Sequence, residues 1–402
     1  MLNVEMLSTG DEVLYGQIVD TNASWLADFL FEQGFPMTRR QTVGDKFADL
    51  VAILQARSHE ADILIVNGGL GPTSDDLSAE AAAKAAGTEL VIHEEWLAHM
   101  TRFFAERGRP MAPSNRKQAM IPAGSEMIDN PVGTACGFAM QLNRCLFFFT
   151  PGVPSEFKQM VEQEILPRLR KRYPSIEMPL CLRMTTFGRS ESDLAQQLDP
   201  LPLPEGVVLG YRSSMPIIEL KLTGPSAQRT GMQQAWQKIR DVVGESLIFE
   251  GTEGLPAQLA MRLQEQHLTL ALSEQFTAGM LCWQLTNAGV AVVQGQVLPS
   301  SAPESLAGCV QRARQLAEQQ GSSLALVTGA IDADNMQNLA LHTPDKTVGL
   351  RVNWSGRRHS VETRQAVCAM LAMNMLRRWL NGWDVSAEHG WIHIEEQLTH
   401  PA

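Results

Sequence analysis

Residues 63–66, Ile-Leu-Ile-Val, form an unbroken apolar run, which suits a strand buried on both faces of a parallel sheet. An alanine-rich helix is expected at residues 77–86, stopped by Gly87. The same alternation surrounds this pair. Residues 4–7 read as a strand. A helix from Asn22 puts Trp25, Leu26, Phe29 and Leu30 on one face, with Gly34 as its stop. Another helix, from Asp45 towards Ser58, carries Phe47, Leu50, Val51 and Leu54. Residues 146–149 read as a further buried strand, leading into a helix near Pro154 and Ser155. Strands and helices in alternation predict an open α/β sheet with helices on both faces.

Beyond the proline-punctuated stretch 173–179 the pattern changes. It reads strand 181–186, helix 191–198, strands 207–211 and 217–222 split by Ser213 and Ser214, helix 228–243 and strand 247–250. That order, βαββαβ, is a small split α/β unit. After residues 251–256 comes a third unit: helix 257–266, strand 269–272, helix 277–286, strand 290–294 and helix 304–320. Strand 324–328, a β pair within 348–361 and a long helix 364–380 complete it. The 402 residues allow two or three domains. The expected divisions are 1–172, 173–251 and 252–402.

Composition closes off several functions. With 33 Lys+Arg against 44 Asp+Glu the net charge is −11, which offers no general electrostatic grip on nucleic acid. The dense basic run 168–172 reads as a solvated helix end. No apolar run nears the roughly 20 residues that span a bilayer, and the amino end lacks the basic flank and apolar core of a signal peptide. Six cysteines without a CxxC pair fit free thiols in a reducing cytoplasm. His389 and His393, four apart and without nearby cysteines, read as a surface pair rather than a metal site.

The sharpest chemical feature is NGGLGPTSDD, residues 67–76, between the buried strand and the alanine-rich helix. Its glycines let backbone approach a ligand closely, and the helix behind offers N–H groups to phosphate. Thr73 and Asp76 match a capping box. Two readings stand for Asp75 and Asp76. They cap the helix and oppose its dipole, or they share a divalent cation with a phosphate that they would otherwise repel. A second polar loop carries Ser8 to Glu12, then Asp20 and Asn22, with Asn22 as a helix cap. Glu12 and Asp20 fall where parallel strands present their carboxyl ends. Loops 130–137 and 150–156 add glycines and hydroxyls to the same predicted edge. Lys117, in NRKQ, either neutralises a phosphate or faces solvent.

The stretches TGDEVLYGQIVDTNASWLA, GGLGPTSDD, NRKQAMIPAG, NPVGTACGF and TPGVPSEF together resemble the competence/damage-inducible CinA family, across essentially the whole chain. The resemblance implies an amino domain similar to molybdopterin-binding proteins, a KH-type middle domain and a carboxyl domain that hydrolyses the amide of nicotinamide mononucleotide. It also implies metal-dependent ADP-ribose pyrophosphatase activity in the amino domain, with Mg²⁺, Mn²⁺ or Co²⁺, and a homodimer. Matched motif by motif, Asp75, Asp76 and Glu12 become catalytic. Gly68, Gly69, Gly71, Thr73, Ser74, Asn22 and Lys117 become phosphate-binding, and Asp75, Asp76 and Asp20 metal-binding. The alternative is a module that binds a nucleotide or pterin phosphate without cleaving it.

The carboxyl domain departs from the family. Where deamidase members read Ala-Glu-Ser-Cys-Thr-Gly-Gly, this chain reads SEQFTAG, 273–279, so Gln275 replaces the reactive serine. An amide has no hydroxyl with which to attack a carboxamide. Residues 297–305 lack the family's tyrosine and lysine, and its glycine-rich stretch has become VTGAIDAD, 327–334. The deamidase is therefore expected to be absent.

Overall fold

The computed structural model describes residues 2–300, 303–354, 359–387 and 389–401. The chain divides into two units, Met1–Pro179 and Leu180–Ala402.

The strands of the first unit's main sheet are β1 (Val4–Thr9), β2 (Met37–Val43), β3 (Ile63–Asn67), β6 (Glu126–Ile128), β7 (Gly137–Leu142) and β8 (Cys145–Thr150). A separate two-stranded ribbon holds β4 (Leu90–Ile92) and β5 (Met120–Pro122). The six strands of the main sheet lie in the order β2-β1-β3-β8-β7-β6. Strands β2, β1, β3 and β8 run parallel, and β7 and β6 add antiparallel. Every residue of β1 and β3 is buried, as in strands covered on both faces, and the polar Glu5 of β1 pairs with buried Arg57. Leu7, Leu64, Val66, Phe147 and Phe149 face helices Phe47–Glu60 and Ser78–Ala86. Met6, Ile63, Ile65 and Phe148 face helix Thr21–Glu32 and the helical segment that starts at Pro154. Each such side chain contributes about 1.5–3 kcal/mol on burial. The last helix widens into a π turn over Val161–Ile165, just ahead of Pro167 in Leu166–Arg172. Proline has no N–H for the α ladder and clashes with the carbonyl four residues back. The basic residues at that helix end are engaged: Arg168 pairs with Glu126 and Glu164, and Arg170 bonds Gln33.

The second unit holds two sheets. Strands β9 (Leu180–Phe187), β10 (Val208–Ser214), β11 (Ile217–Gly224) and β12 (Leu247–Glu250) make the first, with helices Glu191–Leu198 and Arg229–Val243 between them. Their order is β10-β11-β9-β12, antiparallel throughout. The expected βαββαβ order is present, but β10 runs through Ser213 and Ser214 instead of stopping before them. The second sheet comprises β13 (Leu270–Glu274), β14 (Val292–Val297), β15 (Leu324–Ile331), β16 (Met336–His342), β17 (Lys346–Trp354) and β18 (Ile392–Pro401). These lie in the order β14-β13-β15-β16-β17-β18. Helices Leu255–Glu265, Met280–Asn287, Leu306–Gln320 and Val361–Leu380 flank it.

The β pair expected within 348–361 is corrected by this topology. The hairpin is β16 with β17, residues 355–358 lie outside the described residues, and Val361 opens a helix capped by Ser360. A serine oxygen taking the Thr363 N–H outweighs the β preference of Val361. His389 is also corrected: it is 8% exposed and packs on Phe187, with ring centroids 4.9 Å apart. Burial beside Arg378 and Arg377 pulls its pKa down to about 4.

Candidate functional site

Strand register decides where the polar loops go. Ser8 lies beside Asn67 and Asn67 beside Thr150, so β1, β3 and β8 end level at one edge. Carboxyl ends of parallel strands gather ligands for this reason. The chain leaving each strand turns over that edge and lines a cleft of about 550 Å³. Glu12, Asp20, Asn22, Gly68, Gly69, Gly71, Asp75 and Asp76 all line it, as do parts of loops 130–137 and 150–156.

Gly68 and Gly69 have φ of 109° and 70°, a region costly for residues with a Cβ. A Cβ on Gly69 would also strike the Ser78 hydroxyl, and one on Gly68 the Thr9 hydroxyl. Ser78 holds the loop from below, its Oγ donating to Gly68 O at 2.8 Å and its N–H to Gly69 O at 3.0 Å. Ser78 is buried, and no residue of helix Ser78–Ala86 lines the cleft. The helix end expected to seat phosphate is therefore covered, and residues 68–71 line the cleft instead. The capping box is corrected too. Asp76 Oδ2 accepts from Thr73 N at 2.8 Å and Thr73 Oγ1 at 2.5 Å, closing a turn before the helix, whose cap position is Leu77.

Asp20, not Asn22, caps helix Thr21–Glu32. Its Oδ1 accepts from Ala23 N at 2.9 Å and its Oδ2 from Ser8 Oγ at 2.5 Å. Asn22 lies inside the first turn, buried, with Nδ2 donating to Asn67 Oδ1 at 3.0 Å and Gly152 O at 2.9 Å. Asn67 in turn donates to Pro151 O at 2.7 Å. Two backbone carbonyls thus fix both amide orientations. Both Asn22 donors are spent and its Oδ1 has no protein partner. Asn22 therefore presents no donor to a phosphate, contrary to the expected role; it ties the loops after β1, β3 and β8 together.

Six carboxylates line the cleft, from Glu12, Asp20, Asp45, Asp75, Asp76 and Glu156, and among the described lining residues there is no lysine or arginine. Lys117, Thr73 and Ser74 are outside the lining. Lys117 Nζ donates to Thr73 O at 3.0 Å and pairs with Glu80 at 3.5 Å, so it braces the loop from outside. Asp45 is not legible in the sequence as a site residue, because β2 before it carries Arg39 and Arg40 and does not read as a strand. Its carboxylate accepts from Asp11 N at 3.0 Å, and its own N–H donates to the Asp11 carboxylate at 3.2 Å. Burial raises its pKa, and the charges of Asp11, Glu12 and Asp75 add to the rise. Glu156 escapes sequence reasoning as well; it accepts from buried Asn130 at 2.7 Å. Among the described residues no three Asp, Glu, His or Cys side chains converge to enclose an ion by themselves.

Residues 5–171 match the family model described as a probable molybdopterin binding domain. A CinA-like protein of Shigella flexneri is 62% identical over 402 residues, covering 99% of both chains. The chain belongs to the CinA-like proteins. An NMN amidohydrolase-like protein, YfaY, of Escherichia coli strain K12 has the same identity and coverage. Among solved structures, a CinA protein of Thermoplasma acidophilum is 32% identical over 40% of this chain and 94% of its own, with a TM-score of 0.37.

In this CinA-like chain the residue that the resemblance sets against the deamidase serine, Gln275, is packed and hydrogen-bonded. Gln275 is 7% exposed; its Oε1 accepts from Ala330 N at 3.0 Å and Arg312 Nη2 at 3.3 Å, and its Nε2 donates to Pro299 O at 3.1 Å. Arg312 also bonds Ser273 at 2.6 Å and pairs with Glu304. Glu274 is fully buried and takes the N–H groups of Gly279, Leu281 and Cys282, opening helix Met280–Asn287. Of the segment 297–305, Ser301 and Ala302 lie outside the described residues. Among the described residues, no helix is long and apolar enough to cross a membrane.

Proposed function

We propose that the first unit hydrolyses the pyrophosphate bond of ADP-ribose or a related nucleotide with the help of a divalent cation, and that the second unit has no nicotinamide mononucleotide deamidase activity. One observation carries the first reading: a glycine-built backbone loop shares a cleft with six carboxylates and no lining cation. A diphosphate enters such a cleft only with its charge neutralised. Mg²⁺ is commonly held by one or two carboxylates, with substrate oxygens and water completing its shell. That matches a cleft without an enclosed three-ligand cluster. Asp75, exposed at the rim and held ionised by a hydrogen bond from Thr73, and Glu12 are the residues assigned to hold it, since both Asp20 oxygens are engaged and Asp76 Oδ2 accepts twice. When bound, the cation polarises a phosphoryl oxygen and lowers the pKa of water. The N–H groups of residues 69–71 bind the phosphates and oppose the charge gained in the transition state, while that of Gly68 already donates to Thr150 O at 2.9 Å. Pure protein incubated with ADP-ribose and Mg²⁺, Mn²⁺ or Co²⁺ tests this through release of AMP.

The engagement of Asp20 and Asp76 favours a second reading, a module that binds a nucleotide or pterin phosphate intact. Calorimetry separates the two: a binder gives saturable heat and an unchanged ligand. For the second unit, the support is the Gln275 side chain, which occupies the Ala330 N–H and brings no nucleophile.

A further inference from the structure

A second pocket, of about 430 Å³, lies between β12, helix Leu255–Glu265 and the end of helix Val361–Leu380. Leu255 and Leu259 supply its apolar floor, and Arg262, Arg377, Asn381 and Trp383 its polar and aromatic walls. Arg377 is only 6% exposed. Its guanidinium donates to Leu247 O at 2.6 Å, Glu245 O at 2.7 Å and Asn374 Oδ1 at 2.9 Å. Arg262 donates to Asn381 Oδ1 and Leu380 O, both at 2.6 Å. All five acceptors are neutral.

The nearby carboxylates, including Glu250 in the pocket lining, are already taken. Glu245 pairs with Arg378 at 2.8 Å, and Glu250 pairs with Arg240 at 2.7 Å. Among the described residues, neither lining guanidinium has an ion-pair partner. Capping the carbonyl end of the helix explains part of this arrangement. It does not explain two cations at one pocket, because a buried charge without a counter-ion is costly. A guanidinium has five N–H groups, so both arginines keep donors beyond the bonds they make. Trp383 is 37% exposed beside them, with the Arg377 and Arg378 Cζ atoms 5.2 and 5.6 Å from its ring.

We propose that this pocket binds a small organic anion with a flat apolar body, of the mononucleotide class. The anionic group meets Arg262 and Arg377, and the flat body lies against Trp383 and the leucine floor. The volume suits a ligand of that size. The site is independent of the cleft in the first unit.

The test uses the full chain labelled with 5-fluorotryptophan, titrated with AMP and with inorganic phosphate. The Trp383 resonance is assigned by Trp383→Phe. AMP is expected to shift it saturably, and phosphate to shift it less. Arg262→Gln is expected to weaken the AMP response roughly tenfold or more, the scale of a lost charge-assisted contact. A Trp383 resonance unmoved by about 10 mM AMP, a concentration far above typical ligand affinities, overturns the proposal. So does a shift that Arg262→Gln leaves unchanged. The first result needs no variant, so it holds even if Arg262→Gln fails to fold.

Discussion

The two α/β sheets use the same edge differently. In the first unit, three parallel strands end at loops whose glycines keep side chains away, and an open acidic cleft results. In the second, β13 ends just before Gln275, whose amide satisfies the Ala330 N–H of neighbouring β15. One edge keeps its glycine loop open to the cleft; the other bonds the Ala330 N–H to its own side chain. Strand order at such an edge therefore allows a site without guaranteeing one. Loop residues decide whether it stays open.

The contrast breaks most sharply at Asp75. Asp75→Ala should lower metal-dependent AMP release by at least about 100-fold, as loss of a cation ligand at the reacting phosphate would. The melting temperature should barely move, because exposed substitutions usually stay within about 0.5 kcal/mol. Full activity in that variant would put the cation elsewhere.

Gly69→Ala tests whether backbone keeps the first cleft open. A positive φ and the Ser78 hydroxyl both oppose a Cβ there, for a strain of about 1–3 kcal/mol. Lower thermal stability and weaker nucleotide binding in calorimetry are the expected pair of effects. Gly16 also has positive φ, but a Cβ there has nothing within 4 Å. Gly16→Ala should cost less and leave binding unchanged.

Acid should separate the units. His389 in the folded second unit has its pKa pulled from the usual 6.5 to about 4, so the unfolded chain takes up its proton first. This contribution is complete above pH 6.5 and is lost as pH falls from 6.5 to about 4. At about 1.4 kcal/mol per pH unit the loss approaches roughly 3 kcal/mol. Calorimetric melts of the full chain across that range should show the transition of the second unit falling more in wild type than in His389→Gln.

Gln275→Ala is the mildest break. It leaves the buried Ala330 N–H without its acceptor, costing about 1–3 kcal/mol in a denaturant melt. No ammonia should appear from nicotinamide mononucleotide in either protein, since the change adds no nucleophile. Ammonia release by the wild type would overturn the reading of this edge.

Where burial is uniform, the fold is legible in the sequence. Residues 63–66 and 146–149 read as strands because both faces are covered and every residue is apolar. Strand β2 is not legible: it lies at the sheet edge, with Arg39 and Arg40 exposed. The hairpin of β16 and β17 is placed too late by local pattern, because its pairing depends on a partner strand. The glycine loop, Glu12, Asp20 and Asp75 stand out by residue type. Asp45 and Glu156 do not, since only the level ends of parallel strands bring them to the same cleft.

The sequence by itself determined the alternation of elements, the acidic character of the loops and the presence of an amide, Gln275, in the loop after the strand near residue 272. These depend on residue type and short-range spacing, which a linear chain carries openly. Only the tertiary structure decided that Asp20 and Asp76 accept internal hydrogen bonds, that Asn22 is a buried tie and that Lys117 stands outside the cleft. The physical reason is that a polar side chain takes the nearest partner the fold supplies, and for Asn22, across 45 and 130 residues of sequence separation, that partner is set by strand register and packing.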